Sequence, residues 1–246
     1  MSRFRSFRLP AALCCLLIAF AVLLGGGPAA AATANQPVAA RQATPTTWSC
    51  DTTGTPAATP AMPTMNDEAT PTSIDFDQTY IDMMLPHHAS VIALAEAALP
   101  RLENADLQTI ATNIISSQSA ERTELTAYRE QFYGSATPAP MDAVMNAMAT
   151  SMPEAHDLMM ADMAMMDSDA LVAEFCGQSD ADLAFIDLVI PHHQAAISAS
   201  RVAVAQAVHP EIREFANQVI VAQQAEVEQM TSIRAMLTGP ATTPAA

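Results

Sequence analysis

A nine-residue stretch that occurs twice is the feature that most constrains how this chain can fold. One copy ends in His87-His88, and the other ends in His192-His193, 105 positions further on. The same offset relates identical or similar residues over a much longer distance. The matches are Leu107 with Ile212, Ala111 with Ala216, Gln118 with Gln223, Glu121 with Glu226 and Gly134 with Gly239. The chain therefore contains an internal duplication, and we expect two copies of one structural unit.

The first copy, residues 73–134, has the periodicity of a helical hairpin. Its apolar residues recur at spacings of three and four, which predicts amphipathic helices. Ser73 is in the position of a helix cap, and Pro86 lies inside the first helix, where a kink is expected. Asn104 is predicted to cap the second helix after the turn, and Gly134 is predicted to end it.

The second copy, residues 179–238, repeats this plan. Ser179 with Asp182 three positions later resembles a capping box, and Pro210 falls at a first helical position. Gly239 is predicted to end the last helix. Two hairpins of this kind predict an all-α fold.

The connector between the copies, residues 141–176, is rich in methionine. Residues 141–166 hold nine of the 16 methionines of the chain. On one helix, a continuous stripe at spacings of three and four would be formed by Met141, Met145, Met148, Met152, His156, Met159, Met163 and Met166. Because Pro153 interrupts the stripe, two shorter helices that share a face are the alternative to one Met-rich crossover helix.

The ends of the chain differ from its middle. Residues 1–34 combine three arginines, an apolar run and small residues before an Ala-x-Ala type site, which predicts a secretory signal peptide. Residues 35–72 are rich in Thr, Pro and Ala and predict a disordered tether, and residues 239–246 predict a disordered tail. In an oxidising compartment we expect a disulfide between Cys50 and Cys176, with two free thiols or a copper thiolate site as alternatives.

The charge of the chain excludes one class of partner. The formal net charge is −16, all ten basic residues are arginines, and removal of the three signal arginines takes the charge to −19. Such a field repels nucleic acids, so DNA and RNA binding are excluded, and it attracts cations. Outside the signal no stretch is long and apolar enough to span a bilayer, so the processed protein is expected to be secreted and not transmembrane. Acidity that merely keeps an exported protein in solution explains the charge equally well.

Polar residues interrupt the apolar stripe on the second helix of each hairpin. If the first hairpin turns near residue 102, Gln118 lies at the level of His87 and His88, and Glu121 lies at the level of Asp82. The equivalent residues of the second hairpin are His192, His193, Gln223 and Glu226. Each hairpin is therefore predicted to bring two imidazoles, a carboxamide and a carboxylate together at mid-height.

Two interpretations of this polar cluster are open. In the structural one, each Glu accepts a hydrogen bond from a His, and the network fixes how the hairpins pack. In the other, the imidazoles are metal ligands, and the Gln and Glu side chains orient the ligands or complete the site. Duplication of the whole set favours the metal-binding interpretation.

The methionines indicate which metal would bind. A Met stripe at helical spacing is usually core, but this segment has a single leucine among nine methionines, although leucine fills cores well. Thioether sulfur favours monovalent copper, and imidazole suits divalent copper, zinc, iron and nickel. We therefore expect a copper site, with zinc or iron as alternatives. The candidate ligands outside the His pairs are Met84, Met148, Met152, His156, Met159 and Met163.

With these residues in view, the chain resembles a secreted bacterial family, domain of unknown function 305, marked by an Asp-x(4)-His-His motif. Asp82 to Ile92 and Asp187 to Ile197 both fit this motif, and the resemblance covers residues 73–237. It implies a ferritin-like four-helix bundle, and some members, the CopM-like periplasmic proteins, are associated with copper binding and resistance. Carried over by position, it implicates the two His pairs and the Met-rich segment.

The second repeat differs from the first in its methionines, and the chain differs from ferritin-like di-iron proteins in its glutamates. Leu188 and Val189 stand where the first copy has Met83 and Met84, so a site with equivalent thioethers exists only once. The Glu-x-x-His pairs of ferritin-like di-iron centres are absent, which counts against a di-iron oxidase.

The function expected from the sequence is extracytoplasmic copper binding, buffering or resistance by a protein that is not an enzyme. A ferritin-like metallo-oxidase and a structural cell-surface helical module without metal are the alternatives. The expected partners are metal ions and a metal-accepting protein, and homo-oligomer formation is a further expectation. Glu121 and Glu226 belong to the candidate metal site together with the His pairs.

Overall fold

In a computed structural model, which describes residues 48–50 and 74–239, all the regular secondary structure of the described part is helical. The elements are α1 (Phe76–Ala98), α2 (Ala105–Tyr133), α3 (Met141–Ser151), α4 (Pro153–Ala161), a 3-10 helix (Met163–Met166), α5 (Ser168–Cys176), α6 (Ala181–Gln206) and α7 (Pro210–Thr238). The prediction of an all-α fold is confirmed. The predicted signal peptide, the tether apart from residues 48–50, and the tail beyond residue 239 lie outside the described residues.

The starts of α1 and α6 correct two predicted caps. Asp75 caps α1 by accepting a hydrogen bond of 2.9 Å from the Gln78 amide, so the prediction of Ser73 as the cap is wrong. Asp180 caps α6 in the same way, at 3.0 Å from the Leu183 amide. The capping box predicted from Ser179 is therefore wrong too. Aspartate one residue before each helix supplies the carboxylate that satisfies a free amide of the first turn.

The other predicted helix ends are confirmed. Asn104 caps α2 by accepting from two backbone amides, and α2 ends at Gly134 in the left-handed conformation, with φ of 71°. Pro210 occupies a first helical position of α7, and Gly239 follows its last residue.

Each hairpin stabilises the turn of the other. The carboxylate of Asp77 on α1 accepts hydrogen bonds from the backbone amides of Val208 (2.9 Å) and His209 (2.7 Å). The carboxylate of Asp182 on α6 accepts from the amides of residues 103 (2.9 Å) and 104 (3.1 Å). Because all these positions are related by the offset of 105, the two hairpins make reciprocal contacts with each other.

The hairpins meet through their first helices. Helix α1 packs on α2, α6 packs on α7, and α1 contacts α6. The connector covers the remaining sides, because α3 and α5 contact α1 and α4 contacts α6. As a result α1 is buried on nearly every face, including the faces that carry its polar residues. This burial creates the polar interior in which the repeated motif lies.

The Met-rich connector is broken into short pieces. Helix α3 ends before Met152, and α4 begins at Pro153, which confirms the alternative of two shorter helices over a single crossover helix. The 3-10 helix adds a second break after α4. These breaks change which methionines face inward, so the prediction of one continuous stripe is wrong: Met165 is 3% exposed, whereas Met163 is 46% exposed.

The expected disulfide joins the N-terminal extension to the connector. Cys50 and Cys176 are bonded, which confirms the pairing. The Trp48 amide donates to the Glu96 carboxylate at 3.4 Å, and the Arg101 guanidinium lies 3.3 Å from the Cys50 sulfur. The extension is therefore anchored on the end of the α1–α2 hairpin. Among residues 48–50 and 74–239, no helix is long and apolar enough to cross a membrane.

Candidate metal centre

The four motif histidines lie where α1 and α6 pack against each other. All four side chains are fully buried. His87 and His192, which are equivalent in the two repeats, stack with their ring centroids 3.7 Å apart and their planes inclined by 37°. His88 and His193 lie outside this central pair, each with its ring centroid 6.2 Å from that of its sequence neighbour.

The two outer histidines each face a carboxylate of their own hairpin. His193 Nε2 lies 2.7 Å from Glu226 Oε2 in a hydrogen bond. His88 Nε2 lies 2.9 Å from Glu121 Oε2, at an ion-pair distance but without hydrogen-bond alignment. Because an ionised carboxylate only accepts, the hydrogen bond to Glu226 places a ring proton on Nε2 of His193. Metal-ligating histidines in proteins are typically oriented by such carboxylates.

The inner histidine of the second repeat has a different partner. His192 Nε2 lies 3.0 Å from the hydroxyl of Ser90 on α1. Neither ring nitrogen of His87 has a hydrogen-bond partner in the described part of the chain.

The centre contains several buried polar atoms that lack partners. They are both ring nitrogens of His87 and of His88, Nδ1 of His192 and of His193, and both side-chain polar atoms of Gln118 and of Gln223. Each such atom costs about 1–3 kcal/mol when it is left unsatisfied in a protein interior. A ligand that accepts or donates at these positions would recover part of that free energy.

The inner imidazoles are held neutral by their surroundings. Burial lowers the pKa of His87 well below its ordinary value, and the neighbouring imidazoles of His192, His88 and His193 lower it further. Burial also lowers the pKa of His192, with His193 and His88 as the next contributions. The neutral imidazole is the form that ligates metal ions.

The histidines and carboxylates do not by themselves form a closed metal site. Within residues 48–50 and 74–239, no three side chains of the types His, Cys, Asp and Glu converge in a way that could hold a metal ion. The donor set fits a soft or borderline metal, because neutral imidazoles with free lone pairs lie in a bundle that also buries thioethers. Completion of a coordination shell would require methionine sulfur, a Gln oxygen or a rearrangement of the rings.

The predicted thioether ligands are separated into buried and exposed groups. Met84, Met148, Met152 and Met159 are fully buried in one apolar cluster, which favours a packing role for them. Met163 is 46% exposed, and its neighbour Met160, which the sequence did not single out, is 52% exposed. Ions from solvent can therefore reach the second group directly.

His156 lies near the exposed methionines in sequence and is partly accessible. Its side chain is 22% exposed, and its Nδ1 lies 3.3 Å from the Asp157 carboxylate, at the long end of hydrogen bonding. His156 and Met160 are four residues apart on α4 and so share a face of that helix. Among the described residues no hydrogen-bond partner is found for Nε2 of His156, so this nitrogen is available to a ligand.

The predicted level of Asp82 was wrong. Its carboxylate lies 2.7 Å from Nε of Arg129 and accepts from the Ala139 amide at 2.8 Å, whereas Glu121 lies beside His88. The second repeat contains the same pair, Asp187 with Arg234, also at 2.7 Å. The sequence carried a signal for it, because both members of the pair recur at the offset of 105. Ser90 had no such signal, since the equivalent residue is Ala195.

Comparison with known proteins finds one matching family and several solved structures with a similar fold. The family model described as "Domain of unknown function (DUF305)" matches residues 77–234. The fold is similar to CopM in the Cu(I)-bound form, with a TM-score of 0.51 and 28% identity over 66% of this chain and 98% of that one. It is similar to CopM in the Cu(II)-bound form, with a TM-score of 0.50 and 32% identity over 63% and 93% of the two chains.

A DUF305 protein from Streptomyces coelicolor, described as a predicted secreted protein, shares the fold. Its TM-score is 0.54 at 16% identity, over 66% of this chain and 93% of that one. No curated protein matches the sequence.

Proposed function

The chain belongs to the DUF305 family, and from this premise we propose that it binds copper outside the cytoplasm. It buffers the ion or passes it to an acceptor protein, contributes to copper resistance in this way, and catalyses no reaction of its own. One observation carries the proposal. His88, His192 and His193 each direct Nε2 toward a protein group and keep a buried Nδ1 without a hydrogen-bond partner among the described residues.

This arrangement supports ligation because it selects which ring nitrogen carries the lone pair. In a neutral imidazole one nitrogen donates and the other accepts. When a protein group accepts a hydrogen bond from Nε2–H, Nδ1 carries the lone pair and is the nitrogen that can bind a metal ion. Glu121 and Glu226 are therefore proposed to orient His88 and His193 toward a metal ion, without binding the ion themselves.

Copper is proposed over zinc and iron because of the thioethers. Monovalent copper prefers soft sulfur ligands, and the chain places methionine both beside the buried histidines in sequence and on the surface of the connector. Solved structures of CopM contain Cu(I), Cu(II) and silver. Silver is a soft monovalent ion like Cu(I), so the chemistry found in that protein agrees with the donor set of this chain.

We propose that an ion first meets the connector and then the buried centre. Met160, Met163 and His156 are accessible and supply two thioethers and an imidazole. The predicted signal peptide and the acidic charge fit a protein of the periplasm or the cell surface that attracts cations. We also propose that the ion passes from the buried centre to an acceptor protein, and that copies of the chain associate with one another.

A metal titration tests the proposed function. The purified protein would be mixed with Cu(I), Cu(II), Zn(II) or Fe(II), desalted and examined by elemental analysis. We expect copper to be retained, and we expect His88→Gln combined with His193→Gln to retain less copper while the helical circular dichroism signal stays the same. His209→Gln is the control, because the ring of His209 pairs with Asp77 and stacks on Phe132 instead of contacting the motif histidines. Equal copper content in all three proteins would refute the assignment.

A further inference from the structure

Ser90 joins three elements at the centre of the molecule. Its side chain is fully buried on α1. The hydroxyl oxygen lies 2.8 Å from the His87 carbonyl, 2.5 Å from the Met165 carbonyl and 3.0 Å from His192 Nε2. It therefore links α1 to the 3-10 helix of the connector and to the inner histidine of α6.

Counting donors and acceptors fixes the direction of these contacts. A hydroxyl has one proton to donate and lone pairs that accept, whereas a carbonyl oxygen only accepts. If Ser90 donated its proton to His192, the Met165 carbonyl would face an oxygen lone pair at 2.5 Å, which is repulsive. The arrangement that relieves this shortest contact has Ser90 donating to the Met165 carbonyl and accepting the proton of His192 Nε2.

We propose that Ser90 is a positioning residue that holds His192 in the Nε2–H tautomer, so that Nδ1 carries the lone pair. Nδ1 of His192 is buried and has no hydrogen-bond partner in the described part of the chain. His192 thus acquires from a serine the orientation that His193 acquires from a glutamate. The significance of this orientation for metal binding rests on the proposed function.

The inference makes the two repeats chemically different at their centre. The position equivalent to Ser90 is Ala195, which has no hydroxyl, so His87 lacks the side-chain contact that His192 makes, and within the described residues no well-aligned hydrogen bond reaches either of its ring nitrogens. The stacked pair therefore consists of one imidazole whose tautomer is held by a hydrogen bond and one whose tautomer is not. His192 is the preorganised ligand, whereas either ring nitrogen of His87 can carry the lone pair.

The tautomer can be measured without any metal. In the metal-free protein labelled with ¹⁵N at histidine, long-range proton–nitrogen correlation spectra distinguish the Nε2–H from the Nδ1–H form, and His192→Gln identifies the signals of residue 192. We expect a single Nε2–H form in the wild type, and a mixture or a reversed tautomer in Ser90→Ala. Ser200→Ala is the matched control, because Ser200 is also a fully buried serine but is paired with Tyr80 (2.8 Å).

The control is expected to leave the His192 signals unchanged. Signals of His192 that are the same in Ser90→Ala as in the wild type would overturn the inference, as would an Nδ1–H form in the wild type. Neither result depends on whether the protein binds copper.

A copper titration of the same variants tests the consequence for binding. Loss of a residue that orients a metal ligand typically weakens affinity about 10–100-fold, so we expect a loss of that size in Ser90→Ala and none in Ser200→Ala. Equal affinities in Ser90→Ala and the wild type would overturn the role of Ser90 in preparing the donor atom. If the wild type retained no copper, the proposed function would fail while the tautomer assignment would stand on its spectra.

Discussion

The aspartate of each repeated motif makes the same contact in two different environments. Asp82 and Arg129 form an ion pair whose side chains are 0% and 7% exposed, whereas the side chains of Asp187 and Arg234 are 52% and 47% exposed. An ion pair in water contributes little, because its charges are solvated whether or not they meet. Inside the protein, removal of one partner leaves an uncompensated buried charge. The duplicated sequence thus provides an internal comparison of a buried and an exposed pair.

We predict that Arg129→Gln lowers the free energy of unfolding by about 3 kcal/mol, near the lower end of the cost of breaking a buried pair. The lower end applies because the Ala139 amide still donates to Asp82. Arg234→Gln is the matched control, and we expect its urea midpoint to stay close to that of the wild type. Similar losses of stability in the two variants would show that burial does not set the strength of the pair.

At the scale of helices, the sequence predicted which elements form but not which side chains meet between them. The duplication and the periodicity located both hairpins, and Asn104, Gly134 and Pro210 marked helix ends correctly. Cross-helix pairs were assigned by counting residues from the turn, which places Asp82 opposite Glu121. Side chains on a helix tilt toward its N-terminus, so those of α1 point away from the turn and those of α2 point toward it. A residue of α1 therefore contacts a residue of α2 whose backbone lies farther from the turn than its own. This shift brings Asp82 to the long side chain of Arg129 and His88 to Glu121.

The candidate site was predictable in its residue types and not in its division between core and surface. The identical offset of the His pairs and their Gln and Glu companions identified the buried centre. The breaks in the connector could not be placed from periodicity alone. Pro153 and the 3-10 helix change the helical phase, so methionines on either side of a break do not face the same direction. Met160 was therefore overlooked, and Met148, Met152 and Met159 were grouped with Met163, although only Met163 of these four is exposed.

The division of the connector predicts which methionines take up Cu(I). We expect Met160→Leu with Met163→Leu to slow or reduce Cu(I) uptake, because these thioethers are accessible to solvent. The control is Met148→Leu with Met159→Leu, which exchanges buried side chains of similar volume at a cost below about 1.5 kcal/mol. Uptake would be followed by elemental analysis after short exposures to Cu(I). A loss confined to the buried pair would place the soft ligands in the core instead.

At the scale of the whole molecule, the two repeats are connected by reciprocal contacts between them. Asp77 of the first repeat binds the turn of the second, and Asp182 of the second binds the turn of the first. In the described part of the chain, neither hairpin supplies a carboxylate to these amides of its own turn, so each depends on the other for these hydrogen bonds. The inner histidines stack at the interface formed by this arrangement. A metal ion bound there would contact both repeats and would stabilise the assembled bundle over separated hairpins.

The disulfide affects the equilibrium between the folded and unfolded protein by restricting the unfolded chain. Cys50 and Cys176 are 126 residues apart in sequence, so the bond closes a long loop and restricts the unfolded chain. We predict that Cys50→Ala with Cys176→Ala lowers the free energy of unfolding by about 2–5 kcal/mol. Because an unfolded chain without the cross-link is more expanded and exposes more surface, the denaturant m-value should rise as well. Urea denaturation measures both quantities, and the wild type treated with a reductant is the control. A loss of stability with an unchanged m-value would contradict this explanation. It would instead assign the effect to lost packing of Trp48 and its neighbours in the native state, because loss of that packing does not alter the dimensions of the unfolded chain.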